Sequence, residues 1–180
     1  MERKLSTIFG LLIGAMWIGE VLLGNLGGTS IFGNLRGFHP HVYALGPWLA
    51  LSAVGVTAMG GAVAAYQTRS IGVALRVGLW SGLISGVIAL VTIVSVVVLF
   101  HDAVMKDPSN IHEFARGAHH VPSEAELPRF IHADGLAGGV NHLWIGPLLG
   151  VTVGGVGAVM GKLQRRFEEM AQRNSRIKAT

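Results

Sequence analysis

Four stretches of the chain run apolar for about 20 residues or more, and polar segments separate them. The first extends from about Leu5 to Leu26 and is interrupted by one acid, Glu20. The second, Tyr43 to Tyr66, and the third, Val77 to Phe100, hold no charged residue, and the fourth covers about Leu143 to Leu163. A helix needs about 20 mostly apolar residues to cross a hydrocarbon core. An isolated strand cannot cross at all, because its backbone groups would go unpaired in lipid. The β-branched run from Val94 to Phe100 would suit a buried strand in a soluble protein, but the length of its apolar block favours a helix. A transmembrane barrel would show alternating segments of about 10 residues, so it is excluded. The predicted fold is all-α: a four-span transmembrane helix bundle over residues 1–163, followed by a basic amphipathic tail, 164–180.

The polar segments refine this picture. Basic residues mark cytoplasmic flanks, and they gather at Arg3 and Lys4, at Arg69 and Arg76, and from Lys162 to Lys178. Both termini and the link between spans two and three are therefore expected on the cytoplasmic side. The segments 27–42 and 101–142 face away from it. An uncleaved first helix is expected, since no clear small-residue cleavage site follows its long apolar run. Within 101–142, Asp107-Pro-Ser-Asn110 reads as a helix start, with Ile111, Phe114 and Ala115 on one face. Ser123-x-x-Glu126 resembles a capping box for a second short helix, with Pro128 limiting its length. These two short helices are expected to cap the outer side. Pro147 is expected to kink span four. Trp48, Trp144 and Tyr43 fall where an outer aromatic belt would lie, with Tyr66 and Trp80 at the inner one.

Composition agrees with the pattern. Hydrophobic residues make up 51% and charged residues 13%, against about 25% charged in a soluble domain. Disorder is excluded for the same reason. The chain has no cysteine, so disulfides, thiolate metal sites, iron–sulfur clusters and cysteine nucleophiles are ruled out. The net charge of +4 invites a nucleic-acid reading. That reading fails on location, because the tail from Lys162 carries as much net charge as the entire chain. Arg165, Arg166, Arg173 and Arg176 are expected to meet an anionic inner leaflet, with Leu163, Phe167, Met170 and Ala171 at helical spacing.

Glycine placement is informative beyond its abundance. Nine glycine pairs lie four residues apart, where random placement gives roughly four, so these positions read as faces for close helix approach. The rows are Gly10/Gly14, Gly78/Gly82/Gly86, Gly146/Gly150/Gly154 and Gly157/Gly161. They suit either packing inside one bundle or contact with a second copy or another membrane subunit.

All eight histidines fall outside the inner polar segments. Glu20 sits about 22 Å up the first helix at 1.5 Å per residue, and an intramembrane carboxylate is a functional-site hypothesis by default. His39, His41, His101 and His142 stand near the same depth. With Glu20 they form a candidate outer site for a metal ion or a haem. No H-E-x-x-H motif, no E-x-x-H pair and no histidine pair at i, i+4 supports a particular metal. A buried hydrogen-bonded acid, proton or solute translocation, and an extracytoplasmic pH sensor are the competing readings of the same residues. No serine–histidine–acid constellation or phosphate-cradling loop is present in the sequence.

The run His39-Pro-His41-Val-Tyr-Ala-Leu45-Gly46-Pro-Trp48 resembles the H-x-H-x-x-x-L-G segment of small four-span proteins distantly related to the haem–copper oxidase catalytic subunit. It covers about ten residues; Pro47 departs from the pattern, and the later haem-ligand signatures do not follow. The resemblance favours the metal or haem reading of the outer site.

The sequence taken together predicts a non-enzymatic, multi-pass protein of the bacterial inner membrane. It would pack through glycine-rich helix faces as a homo-oligomer or as an accessory subunit, with membrane lipids but no nucleic acid as partners. A metal- or haem-binding protein using the Glu/His cluster is the first alternative, and a small channel or carrier titrating at Glu20 is the second.

Overall fold

The computed structural model describes residues 1–26 and 42–179, and over these the chain is helical, with no strand among the described residues. The elements are α1 (Glu2–Leu26), α2 (Val42–Thr68), α3 (Ile71–Leu99), α4 (His101–Met105), α5 (Pro108–Ala118) and α6 (Glu126–Ala179). Four of them, α1, α2, α3 and α6, are long and apolar enough to cross a membrane. Their outward side chains are large and apolar, Leu12, Leu51, Trp80, Val91, Val98 and Leu148 among them. Exposed apolar surface on that scale suits lipid rather than water.

Helix ends differ from the sequence expectation where capping decides them. α3 starts at Ile71 rather than near Val77, because the Ser70 hydroxyl accepts the Val73 N–H at 3.3 Å. Just before it, Arg69 closes α2 in the left-handed region, φ 59°, with its N–H donating to the Ala65 carbonyl at 2.9 Å. The link between the two helices is thus only Arg69 and Ser70. Asp107-Pro-Ser-Asn110 does open a helix, α5, with Pro108 as its first residue. Phe114 on that helix packs edge-on against Phe130 of α6.

The largest departure is α6. The expected second short helix and span four are one uninterrupted helix of 54 residues, roughly 80 Å long. Ser123 starts it: its N–H and hydroxyl both donate to the Glu126 carboxylate, at 2.9 and 2.7 Å. Pro128 does not limit the helix, since it sits in the first turn, where its missing N–H would have had no intrahelical acceptor. The helix also continues through Pro147.

Side-chain contacts fix how the long helices lie. α6 packs along α3 and α2, and α1 packs along the other sides of the same two helices. Glu2 pairs with Arg76 at 3.2 Å, Tyr66 donates to Glu168 at 2.6 Å, and Arg69 pairs with Glu169 at 3.4 Å. The starts of α1 and α3, the end of α2 and residues 165–169 therefore share one end of the molecule. At the opposite end Val21, Leu26, Ile93, Val96, Val97, Val104, Leu127 and Ile131 form an aliphatic cluster joining α1, α3, α4 and α6.

Between the ends, glycine sets the spacing. A Cβ on Gly78 would collide with the Gly150 carbonyl, one on Gly82 with the Gly146 carbonyl, and one on Gly86 with the His142 carbonyl. A Cβ on Gly154 would stand 3.7 Å from both the Gly78 Cα and the Thr57 carbonyl. Gly157 and Gly161 approach Ala58 and Ala62 of α2 in the same backbone-to-backbone way, while Gly10 and Gly14 receive Ile84 and Ile88 of α3. Each of the ten glycines singled out in the sequence faces another helix of the same chain.

Candidate functional site

Glu20 stands one turn from Trp17 on α1, so the two share a helix face. The Trp17 indole meets the His142 imidazole of α6 edge-on, with ring centroids 4.9 Å apart. His142 lies close enough to Glu20 to interact with it electrostatically. On the other flank, a Cβ on Gly46 of α2 would stand 3.9 Å from the Glu20 Cγ. The carboxylate stem is therefore held where α1, α2 and α6 converge, half-buried between a missing side chain and an aromatic pair.

The imidazole's proton position follows from its partner. His142 Nδ1 lies 2.7 Å from the Gly138 carbonyl on its own helix, and a carbonyl can only accept. Nδ1 therefore carries the proton, and in the neutral ring the lone pair is on Nε2. That is the nitrogen able to take up a proton or ligate a metal.

One turn toward the molecular middle, Trp17 also borders a water-sized cavity lined by Ile13, Thr57, Ser85 and Gly146. Thr57 donates to the Ala53 carbonyl at 2.7 Å and Ser85 to the Gly82 carbonyl at 3.0 Å. Both hydroxyl protons are thus engaged by main-chain carbonyls. Glu20, Trp17 and His142 thus meet where helices converge, and Trp17, Thr57 and Ser85 line the small cavity beside them.

Three other described histidines have partners elsewhere. His101 stacks on His132 at 5.3 Å rather than turning to Glu20. His120 lies 3.4 Å from Glu126 and edge-on to Phe114. His39 and His41 lie outside the described residues. Among the described residues, no group of three or more His, Asp or Glu side chains is arranged to hold a metal ion. Of the five proposed ligands, only Glu20 and His142 are brought together there.

The basic tail is split by its surroundings. Arg165 donates to the Tyr66 carbonyl and rests over the Tyr66 ring at 5.6 Å, so it belongs to the α2–α6 seam. Arg166 and Arg173 flank the exposed apolar side chains Leu163, Phe167 and Met170 on α6, and Arg176 lies in the exposed last turns.

Sequence reasoning missed Trp17, His132, Thr57 and Ser85. The i, i+3 spacing of Trp17 to Glu20 was a usable signal. His132 carried none, because its partner His101 comes from another helix. Comparison with protein-family models, with curated proteins and with solved structures finds no match, so the oxidase-like segment gains no support from them.

Proposed function

We propose that this chain is a small, non-enzymatic, multi-pass membrane protein. It is a self-contained four-helix unit that serves as an accessory or assembly component, with both termini on the cytoplasmic side of a bacterial inner membrane. The observation that carries the reading is the glycine seam. Gly78 against Gly150 and Gly82 against Gly146 bring α3 and α6 to backbone contact, so the interior is closed by main chain rather than opened around a substrate chamber. Lipid supplies no hydrophobic force between helices, and close packing of small residues is what joins them. With the glycine faces used inside the chain, contacts with a second copy or another subunit fall to the outward apolar faces and to the two ends of the long α6.

The test is substitution at the seam with the oligomeric state as readout. Gly82→Leu is expected to unfold the chain in mild detergent. A folded Gly82→Leu monomer released from a wild-type oligomer would show instead that the seam joins different chains.

A second reading is favoured by the meeting of Glu20, Trp17 and His142 above a hydroxyl-lined cavity. Under it the protein is a small carrier, or a metal or haem protein, working at Glu20. Its test is the protein purified without chelators or a histidine tag, examined by visible absorption and elemental analysis beside Glu20→Gln and His142→Ala. The accessory reading expects a colourless, metal-free sample in which both variants keep wild-type assembly. A Soret band, or near-stoichiometric metal lost in the variants, would make this a metal or haem protein. Proton flux into vesicles that disappears in Glu20→Gln with assembly intact would make it a carrier.

A further inference from the structure

Where α2 stops and α6 runs on, four cations surround a hollow of roughly 140 Å³. Its floor is the fully buried Ala65; its walls are Arg69 from the two-residue link and Lys162, Arg165 and Arg166 from α6, with Glu169 as the single acid among the lining residues. The backbone contacts of Gly157 with Ala58 and of Gly161 with Ala62 press the two helices together one turn away, so these cations cannot spread apart by moving the helices. Glu169 is shared between Arg69 at 3.4 Å and Arg165 at 3.1 Å. Glu169 thus pairs with two of the four cations, and Glu168, held by Tyr66, also lies near Arg165. Arg69 also holds the left-handed backbone conformation that normally selects glycine, so a cation stands where the backbone alone would favour none.

Position identifies the ligand. Lys162 closes the apolar stretch of α6, and Arg69 follows the apolar stretch of α2, which is the level at which hydrocarbon gives way to phosphate. We propose that this hollow binds the phosphate of an anionic phospholipid. Basic pockets between helix ends at the membrane surface recognise such headgroups, and each Lys or Arg there contributes about 1 kcal/mol. The proposal rests on the membrane reading above and adds a discrete site to it. The cations of the link and of the first turns beyond the span act together, and those farther along the tail do not.

The experiment uses the full chain in a non-ionic detergent. It is titrated with phosphatidylglycerol, with phosphatidylcholine of the same acyl chains, and with soluble glycerol phosphate, and bound lipid is read by native mass spectrometry. Phosphatidylglycerol is expected to bind in preference to phosphatidylcholine. Lys162→Gln with Arg166→Gln should weaken it about thirtyfold, the effect of two such cations. Arg173→Gln with Arg176→Gln removes the same charge farther along and should leave binding near wild type. If the first pair does not fold, Arg69→Asn replaces it: asparagine tolerates the left-handed region, and the expected loss is about fivefold. Equal binding of the two lipids, or equal loss from the distal pair, would overturn the site. Glycerol phosphate competing as well as the lipid would make free phosphate the ligand and overturn the lipid assignment. A chain that stays dispersed without any detergent would overturn the membrane reading itself, a result the lipid titration does not mimic.

Discussion

Arg69 and His119 each hold a positive φ, 59° and 58°, one residue beyond a helix end. Both N–H groups bond back to a carbonyl four residues earlier, at 2.9 Å. An L-residue in that conformation costs about 1–2 kcal/mol that glycine avoids. His119→Gly is therefore expected to raise stability by about 1 kcal/mol, read from the midpoint of unfolding in detergent. Arg69→Gly gains the same backbone relief but should also weaken anionic-lipid binding about fivefold, so the two variants separate strain from charge. Glycines elsewhere divide by what a methyl group would meet. Gly78→Ala drives a Cβ into a main-chain carbonyl that cannot rotate away, whereas nothing lies within 4 Å of a Cβ on Gly55. The first change should destabilise by about 1–3 kcal/mol. The second should be neutral or stabilise by up to about 1 kcal/mol, and equal effects would refute the seam as the source of the difference. At this scale Glu20 was legible because a lone acid in an apolar run has no bland explanation. Trp17 was not, since an indole in such a run reads as lipid-facing until the neighbouring helix is known.

Elements were legible where they are apolar and much less so where polar side chains terminate them. Ser123 and Glu126 announced a helix start, but Pro128 disguised how far it runs. A proline interrupts a helix only where its N–H is needed, and three residues into α6 it is not. Ser70 passed unnoticed because a single serine before an apolar run is too common to mark a boundary. The start of α6 is also sensitive to pH. The hydroxyl and N–H of Ser123, with His120 nearby, hold the Glu126 carboxyl below the ordinary glutamate range. A depressed folded pKa means the stabilisation is complete above the unfolded value, about 4.3, and disappears as pH falls through the lower folded value. Amide exchange in the first turns of α6 should therefore accelerate only under acid conditions below that point. Glu126→Ala, which has no side-chain acceptor, should show the faster exchange already at neutral pH, and an unchanged rate there would remove the capping role.

For the whole molecule, apolar block length was enough to count the long helices and to find their approximate limits. Which helices touch was not available from it. Glycine rows reveal a close face on each helix but not the helix it meets, because Gly78 could equally face Gly10, Gly150 or another chain. Spatial pairing is a property of the folded set, decided by which carbonyls and methyl-free faces fit together at once. The same limit explains the candidate site. Its carboxylate and imidazole come from α1 and α6, helices on opposite flanks of α2 and α3 that meet at Trp17 and His142.

The unbroken α6 has a mechanical consequence. Its apolar middle would occupy about 30 Å of bilayer, so more than half of its roughly 80 Å lies outside, divided between both aqueous phases. Main-chain hydrogen bonding makes it a stiff lever with the glycine seam as its bearing and Pro147, which donates no bond into the helix, as its weakest joint.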